Sequence, residues 1–330
     1  MSLYADGVHR FSPSEISTFH DCRRKWMLSY FLSLKRKERD VRYPLTSGNL
    51  GHGALEVFYL NGGIHGEKSQ ELALDWLRDK RAEDLAECAE EHTATIMKAH
   101  KTAESCVLSY LHWVDQTGVD LDLEIIGTED KLSMSGPIPN TELNGRIDLL
   151  ARDRRTGDVV VLDFKFVSSI TDKIRMLHLD LQAKTYGILA RNKYKCPVRV
   201  AFRIIKLNQR GTTVKGPQEE EYTIHLNDAQ LDTYWTQLGG VMFDIVHLSN
   251  KLTEGKLSHQ ILAYPSPSDS CSWKCPFFAV CPMLDDPMSD GEWLLNDAFE
   301  SKFAKPKRDH ESDPSGTLDT DATTTQEVTS

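Results

Sequence analysis

Residues 159–166 form an apolar segment that carries two charged side chains, Asp163 and Lys165. Alternate side chains of a β-strand share one face, so these charges point one way while Leu162 and Phe164 point the other way, into a core. An unpaired charge is expensive to bury beside such apolar neighbours. The segment therefore predicts a strand whose charged face has a partner: either an ordinary surface ion pair, or a divalent metal ion with a phosphate group.

The preceding segment, residues 144–148, offers a second carboxylate for the same place. It ends in Asp148, and the Thr-Gly-Asp sequence at 156–158 is typical of a tight turn between neighbouring strands. A hairpin closed by this turn would bring Asp148 and Asp163 onto one hard cation such as Mg²⁺. The cation would lower the pKa of a bound water, and Lys165 would position that nucleophile or stabilise the charge on the phosphate.

A helix is predicted to begin near the N-terminus, where Ser12, Pro13 and Glu15 form the pattern of a capping box. Apolar residues then recur at near-helical spacing as far as Tyr30, and Cys22 lies on the same stripe. The first cysteine is therefore expected on a helix.

Further along the chain, helical and strand patterns follow one another without a turn-rich linker. Helices are predicted over residues 49–60, over 68–116 as two or more helices, and over 174–192 and 227–248. Strands are predicted over residues 129–135, 142–151, 159–167 and 198–207. This order favours an α/β sheet whose catalytic groups sit on central strands, and the chain after about residue 305 is expected to be disordered.

Composition limits the class of protein. With 40% apolar residues among 330, the chain can bury one large core with a helical subdomain grafted onto it. No apolar run approaches the roughly 20 residues of a membrane span, and the N-terminus lacks the apolar core of a signal peptide. We therefore expect a soluble cytoplasmic protein, whose seven cysteines serve metal binding or core packing instead of disulfides.

Charge is unevenly distributed. The net charge of −10 argues mildly against non-specific affinity for nucleic acid, which rests on Lys and Arg. Residues 23–42, however, contain eight Lys or Arg against two acids, whereas residues 309–330 contain six acids and no Lys or Arg. The basic segment could contact DNA or could be an ordinary solvated helix face.

Four short motifs occur in an order that resembles the RecB-type branch of the PD-(D/E)XK nucleases. They are Gly48 to His52, residues 145–148 (Gly-Arg-Ile-Asp), residues 163–165 (Asp-Phe-Lys), and Gln182 with Tyr186 four residues later. Each motif alone is ordinary, and the specificity lies in their order over about residues 8–285. The resemblance implies an α/β fold with a restriction-endonuclease-like central mixed sheet, flanked by helices.

The resemblance also implies roles for the motif residues. His52 would be a further metal ligand beside the carboxylates of Asp148 and Asp163, and Lys165 would be the catalytic lysine. Glu129 would be an acid that faces the metal centre, a place for which Glu124 is a weaker candidate. Gln182 and Tyr186, which share a helix face, would support the site and contact DNA.

Three cysteines lie within eleven residues, Cys271, Cys275 and Cys281, among aromatic residues and prolines typical of tight loops. In the family that this chain resembles, such a triplet joins an N-terminal cysteine, here Cys22, to hold a 4Fe-4S cluster that ties the two ends together. The first spacing departs from the usual C-x-x-C, since three residues separate Cys271 from Cys275. Zinc held by four cysteines and an absence of metal remain alternatives.

The expected organisation has five parts. They are N-terminal helices (8–60), a helical subdomain (61–120), the nuclease core (121–250), a cysteine segment (251–290) and a disordered acidic tail (305–330). The expected function is that of a Mg²⁺- or Mn²⁺-dependent DNA nuclease, an exonuclease on single strands or ends. Its setting would be DNA repair, recombination or phage DNA processing, with a helicase or recombination partner. A catalytically silent DNA-binding scaffold and a zinc-clamped interaction module are the competing hypotheses.

Overall fold

The computed structural model describes residues 7–37, 41–207 and 218–302. Within these ranges the strands are β1 (His9–Phe11), β2 (Leu34–Arg36), β3 (Leu123–Ser135), β4 (Thr141–Asp153), β5 (Val159–Val167), β6 (Val198–Lys206), β7 (Glu219–Ile224) and β8 (Phe299–Ser301). The α-helices are α1 (Pro13–Asp21), α2 (Arg23–Trp26), α3 (Tyr43–Leu60), α4 (Ser69–Glu87), α5 (Thr93–Thr117), α6 (Ile170–Leu177), α7 (Leu181–Tyr194), α8 (Asp228–Glu254), α9 (His259–Leu262), α10 (Cys271–Lys274) and α11 (Gly291–Ala298).

Six of the strands form one mixed sheet around β5. This strand pairs antiparallel with β4 on one side and parallel with β6 on the other, and β7 follows β6. β3 runs antiparallel along β4, and the short β1 lies parallel to the first residues of β4. The predicted hairpin and the predicted central mixed sheet flanked by helices are confirmed.

Helices cover both faces of the sheet. On one face Val161 and Ile147 are buried in a core that includes residues of α1, α7 and α8. On the other face Leu162 and Phe164 are buried with residues of α3, α4 and α5. The alternation predicted for β5 therefore holds, because Leu162 and Phe164 pack against α3, α4 and α5 on the face opposite Asp163 and Lys165.

A glycine lets α3 lie directly against β5. A Cβ atom on Gly51 would meet ring atoms of Phe166 at 2.2 Å, so a larger residue here would force the Phe166 ring to move. The neighbouring His52 therefore sits close to the sheet, with its ring centroid 5.5 Å from that of Phe166. A small residue in the helix thus sets the position of the predicted histidine ligand.

Two helix predictions need correction. The helix expected over residues 174–192 is two helices, α6 and α7, separated at His178 to Asp180. The Asp180 side chain accepts a hydrogen bond from the Gln182 amide at 2.9 Å and so caps a new helix. Cys22 lies in extended backbone between α1 and α2 (φ −164°), so the first cysteine is not in the middle of a helix.

The predicted capping box is only half present. Ser12 Oγ accepts from the Glu15 amide at 3.2 Å, which confirms the helix start. The Glu15 carboxylate instead turns inward and accepts from the indole of Trp26 at 3.1 Å. A buried indole N–H needs an acceptor, and satisfying it takes precedence over completing the box.

Some elements were not predicted. β7 contains three consecutive glutamates and lacks an apolar alternation, yet it pairs with β6, where Glu221 lies opposite Arg203. The cysteine segment, expected to form only loops, includes the single turn α10. The acidic tail predicted to be disordered lies outside the described residues. None of the helices in the described part of the chain combines the length and apolar character needed to cross a bilayer.

Candidate active site

The site lies where β4 and β5 separate. Their pairing ends at Leu149 and Leu162, and the next residues, Asp148 and Asp163, are no longer ladder partners. Asp148 Oδ2 instead accepts a hydrogen bond from the backbone N–H of Phe164 at 2.8 Å. A side-chain carboxylate thus satisfies an amide that the ladder leaves unpaired, which fixes this carboxylate at the fork between the strands.

Asp163 and Lys165 form a buried pair bridged by a glutamine of α7. Lys165 Nζ lies 2.5 Å from Asp163 Oδ2 and donates to Gln182 Oε1 at 2.8 Å. Gln182 Nε2 donates to Asp163 Oδ1 at 3.0 Å and to Tyr186 Oη at 2.7 Å. Tyr186 in turn donates to the Arg146 carbonyl at 2.5 Å, so α7 orients both charged groups of β5.

A second group of possible ligands comes from three different elements. His52 of α3, Glu129 of β3 and Asp148 of β4 each offer an atom, and these atoms lie within 4.8 Å of one another. His52 Nδ1 is 3.2 Å from Asp148 Oδ2. Asp163 does not belong to this group, because its carboxylate is engaged with Lys165 and Gln182. The resemblance implied His52, Asp148 and Asp163 as ligands and Glu129 as an acid that faces the metal centre. In the structure Glu129 lies beside His52 and Asp148, and Asp163 lies beside Lys165.

The backbone of Glu129 is unusual. Its φ of 50° lies in the left-handed region, which is strained for a residue with a side chain. The register places Glu129 opposite Asp148, between the pairs Thr128–Leu149 and Asp130–Ile147. Like charges opposite each other destabilise a sheet, and an ion pair of Glu129 with Arg146 only partly offsets the repulsion.

The ionisable groups shift each other's pKa values. Burial raises the pKa of Asp163 to about 6, although Lys165 acts in the opposite direction. Burial and then the charge of Asp148 raise the pKa of Glu129. For Asp148, burial is outweighed by the hydrogen bond and charge of His52 and by the Phe164 amide, so its pKa is lowered. The pKa of His52 is raised because Asp148 outweighs burial.

The donor set fits a divalent cation. One imidazole nitrogen and two carboxylate oxygens converge from three elements, with two further charged groups beside them. Mg²⁺ and Mn²⁺ prefer oxygen ligands, and the imidazole suits the softer Mn²⁺ better than Mg²⁺. When the His52 imidazole is protonated it forms an ion pair with Asp148, and a cation bound there would take the place of that proton.

Sequence reasoning overlooked one acid near this group. Glu56 lies one turn beyond His52 on α3, and its charge contributes to the raised pKa of Glu129. The signal was available, because residues four apart share a helix face. Glu124, the weaker candidate for an acid at the site, is opposite Arg152 in the register, near the far end of β4.

The four predicted cluster cysteines line one cavity of about 300 Å³, namely Cys22, Cys271, Cys275 and Cys281. Backbone N–H groups point at two of the sulfur atoms: Ser266 N is 3.4 Å from Cys22 Sγ, and Ser268 N is 3.4 Å from Cys271 Sγ. Burial raises the pKa of Cys275 and Cys281. In the described residues, no three of the four sulfur atoms lie within 4.8 Å of one another.

A buried arginine joins the two ends of the chain at this cavity. Arg24, which is 2% exposed, donates to both carboxylate oxygens of Asp285 at 2.7 Å. It also donates to the Cys281 carbonyl at 3.1 Å and lies 3.8 Å from Cys281 Sγ. This bidentate pair was not predicted from sequence, since the two residues are 261 positions apart.

The family of the chain can now be stated. The sequence matches the family described as the PD-(D/E)XK nuclease superfamily over residues 10–282. This match spans most of the chain, so the protein belongs to the PD-(D/E)XK nuclease superfamily and is a nuclease. Members of this superfamily generally use Mg²⁺ or Mn²⁺.

Solved structures with a similar course of the chain have little sequence in common with it. A candidate exonuclease from Eubacterium rectale has 12% identity and a TM-score of 0.48, covering 78% of this chain and 89% of that one. An alkaline exonuclease from Laribacter hongkongensis has 12% identity and a TM-score of 0.29, with coverage of 62% and 91%. These values carry no functional argument. A comparison with curated proteins gave no match.

Proposed function

We propose that this nuclease hydrolyses DNA with a divalent cation held by His52, Glu129 and Asp148. The single observation that carries the proposal is the convergence of these three ligands beside the buried Asp163–Lys165 pair. Asp163 would complete the coordination if its carboxylate turned from Lys165 toward the cation. The cation would supply Lewis acidity at the scissile phosphate and a bound water of lowered pKa.

The remaining roles belong to the chain's own residues. Lys165 would stabilise the negative charge that develops on the phosphate, since its ammonium group is held in place before the reaction begins. Gln182 keeps Lys165 and Asp163 in register through two hydrogen bonds, and Tyr186 anchors Gln182 to the β4 backbone. Such supporting hydrogen bonds keep the reacting groups within the narrow range of positions that catalysis requires.

The substrate part of the proposal rests on the resemblance to RecB-type nucleases. We infer an exonuclease that acts on single-stranded DNA or on DNA ends, in DNA repair, recombination or phage DNA processing. A helicase or another recombination protein would supply the unwound strand.

We also propose a 4Fe-4S cluster in the four-cysteine cavity. The N–H groups directed at Cys22 and Cys271 support a group that places negative charge on these sulfur atoms. The choice of iron–sulfur over zinc rests on the resemblance to RecB-type nucleases. The cluster would close a loop of about 250 residues and so stabilise the fold, without taking part in hydrolysis.

Cleavage of labelled DNA tests the nuclease proposal. Wild-type protein with Mg²⁺ or Mn²⁺ should degrade 5′-labelled and 3′-labelled single strands, and the two labels report the polarity. Lys165→Ala should abolish cleavage while the protein stays folded, and Lys193→Ala on the exposed face of α7 should have no effect. A folded wild-type protein that cleaves no end, flap or single strand would support the silent scaffold.

Colour tests the cluster proposal. Protein purified without chelators should be yellow-brown with broad visible absorbance and should contain iron and sulfide. Cys275→Ser should bleach and destabilise it, whereas Cys88→Ser, at the end of α4, should leave the colour unchanged. A colourless protein with one zinc per chain would favour the zinc-clamped module.

A further inference from the structure

Two large aromatic side chains are exposed beside the four-cysteine cavity. Trp273 is 68% exposed and Phe278 is 50% exposed, although the cysteine segment around them is held firmly by backbone contacts. Exposed apolar surface of this kind often marks a binding surface. Both rings lie on the segment that carries Cys271, Cys275 and Cys281.

Cations surround these aromatic residues. Arg42 donates to the Trp273 carbonyl at 2.8 Å, and Arg36 donates to the Pro276 carbonyl at 2.9 Å. Both arginines come from the basic segment that stood out in the sequence. Lys25 also lines the cavity together with Phe278. A surface that combines aromatic rings with Lys and Arg is typical of single-stranded nucleic acid binding, because bases stack on the rings and phosphates meet the cations.

A groove runs from residues that support the active site to Lys274 of the cysteine segment, and neither the cation ligands nor the two rings line it. The groove, about 1120 Å³ in volume, is lined by Gln182 and Tyr186 as well as by Lys274, which follows Trp273 in sequence. Its walls also carry Arg10 and Lys131. Lys274 lies 3.8 Å from Asp21, but both side chains are about half exposed, so this ion pair contributes little and can be exchanged for a phosphate.

We propose that Trp273 and Phe278 form a stacking platform for single-stranded DNA, which runs from the active site along the groove to the cysteine segment. This inference rests on the proposed DNA nuclease function and adds where the strand lies. A duplex fits less well, because its bases are already stacked on each other and present only their edges. Two other exposed rings have acidic neighbours in sequence: Trp293 follows Glu292, and Phe243 precedes Asp244.

Binding measurements test the platform. The affinity for a fluorescein-labelled twenty-nucleotide oligothymidylate is measured by anisotropy in a Lys165→Ala background, so that the strand is not cut. Trp273→Ala and Phe278→Ala should each weaken binding by about tenfold. Trp293→Ala is the matched control, since that tryptophan is 57% exposed, and it should bind like the parent.

A small substrate separates this inference from the proposed function. Hydrolysis of thymidine 5′-monophosphate p-nitrophenyl ester with Mn²⁺ needs the active site but no platform, so Trp273→Ala should retain it at the wild-type rate. Absence of hydrolysis by wild type would count against the proposed function. Unchanged binding of the long strand by Trp273→Ala and Phe278→Ala, equal weakening by Trp293→Ala, or equal weakening for a blunt duplex would each overturn the platform.

Discussion

The same sheet buries two groups of charges, and they differ in how completely the protein neutralises them. In the first, which we call the Arg203 cluster, Arg203 is 1% exposed and faces two carboxylates and two tyrosine hydroxyls. Nη1 donates to Tyr59 and Tyr110 at 2.7 Å, and Nε donates to Glu221 at 3.0 Å. Nη2 forms an ion pair with Asp120 at 2.5 Å, a contact without hydrogen-bond geometry. The buried arginine is thus matched by opposite charges, as buried charges must be in a stable core.

The active site is the opposite case. Three carboxylates meet here, and each has a different partner: Asp163 pairs with the half-buried Lys165, Asp148 with His52, and Glu129 with the exposed Arg146. The pKa of Asp163 and that of Glu129 are both raised, which records the cost of keeping these carboxylates charged. At the active site the carboxylates are incompletely neutralised and the backbone of Glu129 is strained. We infer from this difference that a cation from solution would bind there.

Replacing Asp148 by Asn should have the largest effect and should act on activity alone. The amide keeps the shape and can still accept from the Phe164 N–H, so the fold should persist. Cleavage with Mn²⁺ should fall about a thousandfold, because a charged ligand of the cation is lost. Single-turnover rates and thermal melting check this prediction together. If the folded variant cleaved DNA at near wild-type rates, Asp148 would not be a cation ligand, and the contrast between the active site and the Arg203 cluster would be wrong.

Replacing Arg203 by Met should act on stability instead. The change leaves Asp120 and Glu221 without their cation in a buried setting, and we expect a loss of about 3–5 kcal/mol in the free energy of unfolding. Urea denaturation of the variant measures it. Lys193→Ala serves as a control for a solvated cation of the same protein. A loss below about 1 kcal/mol would mean that the Arg203 cluster does not stabilise the fold.

The pH dependence of the free energy of unfolding should also distinguish the active site from the Arg203 cluster. In the metal-free protein the pKa of Asp163 is raised to about 6 from its usual 3.8, so between these values the folded state keeps a proton that the unfolded chain releases. The free energy of unfolding should therefore decrease as the pH rises from 4 to 6, by about 3 kcal/mol relative to Asp163→Asn. The comparison is made by urea denaturation with chelator present. A pH-independent difference between the two proteins would contradict the raised pKa.

The smallest effect is expected for Glu129→Gln. Removing the charge relieves the repulsion with Asp148, so the metal-free protein should gain up to about 1 kcal/mol in stability. The same change should weaken Mn²⁺ binding in a calorimetric titration, because a carboxylate ligand is replaced by a poorer donor. Opposite signs of the two effects are the signature of a functional site that costs stability. If the variant were less stable and its Mn²⁺ affinity unchanged, Glu129 would have a structural role and would not be a metal ligand.

The sequence predicted the parts of the site that depend on local pattern. The alternation in β5 placed Leu162 and Phe164 in the core, and the turn after β4 predicted the hairpin that carries Asp148. Sequence could not predict the Arg203 cluster, because its members come from four separate segments and meet only through packing. It also missed that Asp180 starts a new helix, since a capping side chain interrupts a pattern that looks continuous.

Tertiary contacts also decide which of the candidate ligands lie close together. The order of motifs indicated His52, Asp148 and Asp163, but Gln182 of α7 holds Asp163 beside Lys165. The bulge in β3 and the positive φ of Glu129 bring that residue to Asp148 instead. The bulge lies next to Gly127, a signal that the sequence offered, whereas the positive φ of Glu129 has no glycine to indicate it.

Anomalous diffraction from a crystal containing Mn²⁺ tests the central claim most directly. The account predicts one strong peak per chain among His52, Glu129 and Asp148, at about 2.0–2.5 Å from the carboxylate oxygens, with Asp163 turned toward it. The peak should disappear in Asp148→Asn crystals grown in the same form. A chain that cleaves DNA in solution, yet shows no peak at the fork between β4 and β5, would contradict it.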